Sequence, residues 1–107
     1  MKQKLLDILA NPAGKVIAVD LDGTLCHGEF WGNEECVPVQ EMIDKVTVWY
    51  NKGAHIIIYT ARQPKYFPVT QAWLMRHQVP FHGITMQMKP GADVYIDDKG
   101  LFTLDIY

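Results

Sequence analysis

The segment Lys15-Val-Ile-Ala-Val-Asp20-Leu-Asp-Gly-Thr24 decides the fold of this 107-residue chain. Its first part is a short β-branched run with no polar alternation, which is typical of a strand covered on both faces of a parallel sheet. The run ends at two aspartates and a glycine, where a strand gives way to a loop. The sequence therefore predicts a buried strand with acidic residues at its carboxyl end.

Predicted helices and strands alternate along the rest of the chain. Hydrophobic periodicity predicts helices over residues 2–10, 39–51 and 66–78, and strands over residues 54–59, 81–86, 93–97 and 101–107, the last an edge strand. Strands separated by helices of this length imply right-handed crossovers and an open sheet. We therefore expect one Rossmann-like domain over residues 1–107, a three-layer α/β/α arrangement with a mostly parallel sheet of about five strands.

Composition limits the classes of protein to consider. The chain is 49% hydrophobic and 21% charged, as in soluble globular proteins. Its formal net charge of −2 gives no overall positive field to hold a nucleic-acid backbone. No segment approaches the ~20 apolar residues that cross a bilayer, and the N-terminus lacks the apolar core of a signal peptide. We expect a cytoplasmic protein with no membrane partner and with reduced thiols at Cys26 and Cys36.

Chemically active side chains gather around the predicted strand ends. They are Asp20 and Asp22 after the first strand, Thr60 and Arg62 after the second, Lys89 before the fourth, and Asp97 and Asp98 after it. Ligands bind beyond the carboxyl ends of parallel strands, where loops from neighbouring strands meet. Carboxylates that converge there repel one another unless a cation lies among them. Mg²⁺ is the expected cofactor because it accepts oxygen ligands and keeps positions open for phosphate oxygens.

The spacing of Asp20 and Asp22 suits phosphoryl chemistry. Alternate residues at a strand end project to one side, so both carboxylates can face one substrate. One carboxylate can attack phosphorus while the other gives a proton to the leaving oxygen. Gly23 lets the chain turn sharply beside a ligand. The Thr60 hydroxyl and the Lys89 ammonium can hold the transferred group.

Four motifs in order resemble those of the haloacid dehalogenase-like (HAD) phosphatases. They are Asp20-Leu-Asp-Gly-Thr-Leu25, Ile56-Ile-Ile-Tyr-Thr60, Lys89 in Met88-Lys-Pro-Gly91, and Val94-Tyr-Ile-Asp-Asp98, and they cover roughly residues 15–99. The resemblance implies a central first strand and hydrolysis of a phosphomonoester through an aspartyl-phosphate on Asp20. Asp22 is then the proton donor and later the base, with Thr60 and Lys89 as catalytic partners. Gly23, Thr24, Ala61 and Arg62 complete the expected substrate-binding set.

The resemblance also implies a ligand set for Mg²⁺. The ion is expected on the side chain of Asp20, the backbone carbonyl of Asp22 and an acidic residue of the fourth motif. Asp98 is the expected direct ligand there, and Asp97 is expected to bind through water or to fix Lys89.

The short gaps between the motifs resemble the capless branch of the family. Residues 24–38 show neither the helical nor the strand periodicity of apolar residues, which predicts a flap-like insertion over the active site. Without a cap, a large substrate or a neighbouring subunit must help to close the crevice, which leaves a homo-oligomer open. We expect a small phosphorylated substrate, and a nucleic-acid 3′-phosphate also stays open.

Other functions and roles stay open at this point. The chain could transfer the phosphoryl group to an acceptor other than water, or be a non-catalytic phosphate- or protein-binding module that retains the fold. Arg62 fits an exposed salt bridge in a loop as well as it fits a substrate contact. Zinc is not predicted, because Cys26, Cys36, His27 and His82 show no CxxC or HxxxH spacing.

Overall fold

The computed structural model describes residues 2–28, 36–97 and 100–102, the last three by their backbone only. Its helices are α1 (Lys2–Ala10), α2 (Gln40–Asn51) and α3 (Phe67–Arg76), with a 3₁₀ turn at Pro64–Tyr66. Its strands are β1 (Val16–Asp20), β2 (His55–Thr60), β3 (Gly83–Met86), β4 (Val94–Asp97) and β5 (Gly100–Phe102). None of the helices in these ranges has the length and apolar character needed to span a membrane.

Strands β1 to β4 form a parallel sheet in the order β3-β2-β1-β4. Strand β1 lies between β2 and β4, and Ala18 is in register with Ile57 on one side and with Tyr95 on the other. The three-residue β5 pairs antiparallel with β4. The prediction of an α/β domain with a parallel sheet is confirmed.

One face of the sheet carries the main core. Ile17 and Val19 of β1 point to this face and are fully buried, whereas Ala18 between them points to the opposite face. The helices add apolar side chains to the same cluster: Leu5 from α1; Ile43, Val46 and Trp49 from α2; Trp73 and Leu74 from α3. Full burial of one such side chain contributes roughly 1.5–3 kcal/mol. All three helices therefore belong to the layer on this face.

A connection without a helix covers the opposite face. Ala18, Tyr95 and Ala92 form a second buried cluster, and no helical residue of the described ranges belongs to it. Ala92 lies in residues 87–93, the connection from β3 to β4. The Asp93 carboxylate accepts a hydrogen bond from Val16 N at 2.7 Å, and Tyr95 Oη donates one to Pro90 O at 2.7 Å.

The predicted three-layer arrangement is therefore wrong for the part of the chain that the structure describes. A helical crossover between parallel strands needs about a dozen residues or more, and residues 87–93 are too few. Pro90 also interrupts any helix there. In place of a second helical layer, residues 87–93, which contain no helix, pack Ala92 against Ala18 and Tyr95 of the sheet.

Element ends differ slightly from the prediction. Strand β2 includes Thr60, and β3 begins at Gly83 instead of residue 81. Helix α3 starts with a proline in its first turn, where the missing N–H costs nothing. Of the predicted strand 101–107, residues 103–107 lie outside the described ranges.

The base of the predicted flap is a short antiparallel ladder. His27 N donates to Val37 O and Val39 N donates to Leu25 O, each at 2.8 Å. Residues 29–35, the centre of the predicted flap over residues 24–38, lie outside the described ranges. The ladder brings Cys26 and Cys36, which are distant in sequence, to the same place.

Candidate functional site

A cavity of about 340 Å³ opens at the carboxyl ends of β1 and β2. Its lining consists of Asp20, Tyr59, Thr60, Ala61, Gln87, Met88 and Lys89. This edge is where parallel sheets bind ligands. The cavity therefore joins four residues that the sequence analysis selected: Asp20, Thr60, Ala61 and Lys89.

Asp20 is the last residue of β1 and is half-buried. Because it alternates with Ile17 and Val19, its side chain lies on the face that residues 87–93 cross. Its Oδ1 accepts a hydrogen bond from Leu21 N at 2.9 Å. The short connection between β3 and β4 thus explains how Lys89 comes to line the same cavity as this carboxylate.

Lys89 lines the cavity with Asp20 and lies over an aromatic ring. Its Nζ is 4.9 Å from the centroid of the Tyr95 ring, a cation–π distance. Although the residue is exposed, local desolvation lowers the pKa of its ammonium group, and the carboxylates of Asp97 and Asp20 oppose that shift. Asp20 and Lys89 therefore line one cavity, and their opposite charges favour the ionised form of both.

Asp22 lies in a separate group of polar residues and forms an ion pair with Arg62. The Nε and Nη2 atoms of Arg62 donate to the two carboxylate oxygens at 3.0 and 2.7 Å. The side chain of Arg62 is 4% exposed and that of Asp22 is 21% exposed. A bidentate, charge-assisted pair of this kind fixes the orientation of the carboxylate. The alternative of an exposed loop salt bridge for Arg62 is wrong, because the guanidinium is buried.

Helix α3 supports the guanidinium of Arg62. Nη1 donates to Thr70 Oγ1 at 2.9 Å, and Thr70 is fully buried. Arg62 does not line the cavity around Asp20. Its predicted role as a substrate ligand therefore requires a movement of the side chain.

Thr60 joins the two groups. It lines the cavity, and its Oγ1 accepts a hydrogen bond from Arg62 N at 3.1 Å. The same hydroxyl donates to Asp22 over a long 3.5 Å contact. A hydroxyl has one proton to give, so a phosphoryl oxygen in the cavity would compete with Asp22 for it.

Two free cysteines contact Asp22, and the sequence analysis assigned them no role. The Sγ atoms of Cys26 and Cys36 each lie 3.5 Å from Asp22 Oδ1. One ligand atom from each of the three residues lies within 4.8 Å of the others. Burial strongly raises the pKa of the Cys26 thiol, and Cys36 and Asp22 add to that shift. Their positions in sequence match no usual metal motif, and tertiary contacts at the flap base and with helix α3 bring them together.

Of the remaining predicted residues, the structure describes Gly23, Thr24 and Asp97 but not Asp98. Gly23 has a φ of 87°, so it makes the sharp turn that was expected. Thr24 is buried and its Oγ1 has no hydrogen-bond partner within the described ranges, but it does not line the cavity. Asp97 ends β4 and is half-buried. Asp98 lies outside the described ranges, so its role as the direct metal ligand stays a prediction.

Fold and site together define a small α/β domain with acidic and basic side chains in one pocket at the carboxyl edge of its sheet. The chain is similar to a structural-genomics target from Vibrio cholerae whose crystal structure is solved. The two are 28% identical, the match covers 72% of each chain, and the TM-score is 0.63. No model of a protein family matches the chain, and no curated protein sequence matches it.

Proposed function

We propose that this chain is a magnesium-dependent phosphatase of the HAD-like class that hydrolyses a phosphomonoester through an aspartyl-phosphate on Asp20. The observation that carries the proposal is one cavity lined by Asp20, Thr60 and Lys89, which come from three different motifs. These are a nucleophile, a hydroxyl donor and a cation, the groups that phosphoryl transfer through a carboxylate requires.

The reaction has two steps. The Asp20 carboxylate attacks phosphorus, and the leaving oxygen departs with a proton from Asp22. A water molecule then attacks the aspartyl-phosphate and gives its proton to Asp22. The Lys89 ammonium offsets the charge on the transferred group. The carboxylate of Asp20 is regenerated and inorganic phosphate leaves.

The donor set fits Mg²⁺. Asp20 and Asp97 would supply hard carboxylate oxygens from the carboxyl ends of the neighbouring strands β1 and β4. With the backbone carbonyl of Asp22 and, by resemblance, Asp98, they are the residues that would hold the ion. When bound, Mg²⁺ supplies positive charge to the phosphoryl oxygens and orients them for in-line attack.

The ion pair between Asp22 and Arg62 constrains the mechanism. Both carboxylate oxygens of Asp22 accept guanidinium hydrogen bonds, so one must be released before Asp22 reaches a leaving group. A phosphorylated substrate offers Arg62 alternative acceptors, which makes an exchange feasible. The same ion pair favours the second candidate, a non-catalytic phosphate-binding module, because it holds Asp22 away from the cavity.

Release of phosphate from a chromogenic aryl phosphate distinguishes these functions. The phosphatase releases phosphate only with Mg²⁺, whereas a binding module binds inorganic phosphate without turnover. A phosphotransferase releases the aryl group faster than phosphate when an alcohol acceptor is present. A panel of sugar phosphates, nucleotides and oligonucleotide 3′-phosphates then selects the substrate class.

A further inference from the structure

The cluster of Asp22, Cys26 and Cys36 has no use for its two thiols in the proposed reaction. Cys26 is fully buried and Cys36 is 7% exposed, and both thiols point at one carboxylate oxygen. Helix α3 also holds the backbone of Cys36, because the Cys36 carbonyl accepts a hydrogen bond from Trp73 Nε1 at 2.8 Å. The three side chains are therefore held together by two separate parts of the fold, the flap ladder and helix α3.

The distances in this cluster match those between ligands of a tetrahedral zinc ion. With Zn–S bonds of about 2.3 Å and Zn–O bonds of about 2.1 Å, tetrahedral geometry separates sulfur from oxygen by roughly 3.6 Å and sulfur from sulfur by roughly 3.8 Å. The observed distance from each Sγ to Asp22 Oδ1 is 3.5 Å, and the whole set lies within 4.8 Å. The protein ligands thus need little movement to bind an ion.

Arg62 is compatible with such an ion. A carboxylate oxygen has two lone pairs, so Asp22 Oδ1 can accept Arg62 Nη2 and bind a metal at once. Two thiolates and one carboxylate exceed the charge of a divalent ion by one negative charge, and the guanidinium supplies the balancing positive charge. The Nη2 atom also lies 3.7 Å from Cys36 Sγ. Arg62 would therefore be an outer-shell partner of the kind that orients metal ligands.

We propose that the side chains of Asp22, Cys26 and Cys36 form a binding site for a thiophilic divalent cation, Zn²⁺ being the best fit, distinct from the magnesium site, to which Asp22 would give only its backbone carbonyl. Thiolate ligands select zinc over magnesium, which prefers oxygen. The site joins both arms of the flap base and leaves a fourth position for water or another small ligand.

Zinc at this site has a consequence for activity, and that consequence rests on the proposed function. The ion holds Asp22 Oδ1 beside the cysteines, so Asp22 no longer reaches a leaving group. Zinc should then inhibit the magnesium-supported reaction, and a zinc chelator that leaves Mg²⁺ free should restore it.

Alkylation of the wild-type protein tests the site without any substitution. The fully reduced chain is treated with iodoacetamide with and without one equivalent of Zn²⁺, and the modified cysteines are mapped by mass spectrometry. We expect zinc to slow the labelling of Cys26 and Cys36 together. Equal labelling of both cysteines with and without zinc would overturn the proposal.

Cobalt provides a second readout through its thiolate charge-transfer band. Cys36→Ser should abolish the band and weaken zinc binding by more than the ~10–100-fold that loss of an outer-shell partner costs. The matched control is His55→Gln. His55 stacks on His82 with 4.3 Å between the ring centroids, so this pair is a candidate imidazole site for a metal elsewhere on the protein. Retention of the cobalt band in a folded Cys36→Ser would overturn the proposal, whereas His55→Gln should keep the band. Circular dichroism checks that each variant is folded, and if Cys36→Ser is unfolded the wild-type labelling decides.

These experiments separate the site from the phosphatase proposal. Protection of both cysteines in a chain without phosphatase activity would support the zinc site and contradict the proposed function. Protection of both cysteines in an active chain that zinc does not inhibit would overturn the proposed link to Asp22.

Discussion

The guanidinium of Arg62 binds both carboxylate oxygens of Asp22, although the two residues lie forty positions apart in sequence. Asp22 belongs to the turn after β1 and Arg62 to the turn after β2, so the pair ties together the loops at the carboxyl ends of two neighbouring parallel strands. The arrangement holds one of the two motif aspartates in a buried ion pair while the other, Asp20, faces the cavity. It leads to a first prediction about stability.

Removal of the guanidinium should destabilise the fold strongly. Breaking a buried ion pair typically costs about 3–5 kcal/mol, and the partial exposure of Asp22 places Arg62→Ala near the lower end. Lys45→Ala is the matched control, since its pair with Glu41 is exposed at both ends and should be worth less than ~1 kcal/mol. Urea unfolding measures both variants. Equal losses in the two would mean that the buried pair contributes no more than a surface pair.

The connection over the second sheet face makes a packing prediction. Ala92 is buried against Ala18 and Tyr95, so Ala92→Leu should overpack the site and cost roughly 1–3 kcal/mol. The neighbouring Gly91 has open space around an added Cβ, so Gly91→Ala should change stability by no more than ~1 kcal/mol. Thermal unfolding compares them. A neutral Ala92→Leu would show that residues 87–93 do not lie tightly on the sheet.

Helices, strands and candidate catalytic residues can be predicted from this sequence more readily than the sheet face that a connecting segment covers. The β-branched run that ends at Asp20 predicts both a buried strand and the position of a carboxylate at the ligand-binding edge. Periodicity cannot show which face a connection crosses, so the missing helical layer over Ala18 was not predicted. The length of residues 87–93 was the available signal.

The second polar group was harder to predict because its contacts are tertiary. Whether Arg62 is exposed depends on Thr70 of α3 and on the turn at Asp22, and neither is local to it. Likewise, Cys26 and Cys36 meet because the flap ladder pairs their neighbours and Trp73 of α3 holds the backbone of Cys36. A search for motifs of fixed spacing cannot find residue pairs that only tertiary contacts bring together.

The environment of Lys89 gives a prediction for pH dependence. Desolvation lowers its pKa below the ordinary 10.5, so the charged ammonium is less favourable in the folded state than in the unfolded chain. The unfolded chain then binds more protons between the lowered value and 10.5, and stability from this group rises with pH across that window. Lys89→Met removes the titrating group. The stability of wild type relative to Lys89→Met should therefore increase as pH rises toward 10.5, as followed by urea unfolding. A constant difference would contradict the assigned environment.

Metal dependence gives a further prediction. Saturating Mg²⁺ should raise the melting temperature, since a ligand at 100 times its Kd adds about 2.7 kcal/mol. Removal of Mg²⁺ by a chelator should abolish turnover. Asp97→Asn should reduce the thermal shift by weakening the ion's ligand set, whereas Asp93→Asn, on the connection at the opposite end of β4, should retain it. Equal shifts in the two variants would exclude Asp97 as a metal-binding residue.

The central claim is that Asp20 is the nucleophile and Asp22 the proton donor, and rapid-quench mass spectrometry with an aryl phosphate tests it most directly. In Asp22→Asn the first step should partly survive, because an activated leaving group scarcely needs a proton, while hydrolysis of the intermediate slows by ~10²–10⁴-fold. A phosphorylated peptide carrying the label on Asp20 should therefore accumulate in Asp22→Asn, and none should form in Asp20→Asn. Label on Asp22, or on a serine, histidine or cysteine, would contradict the assignment even if the chain proves to be a phosphatase.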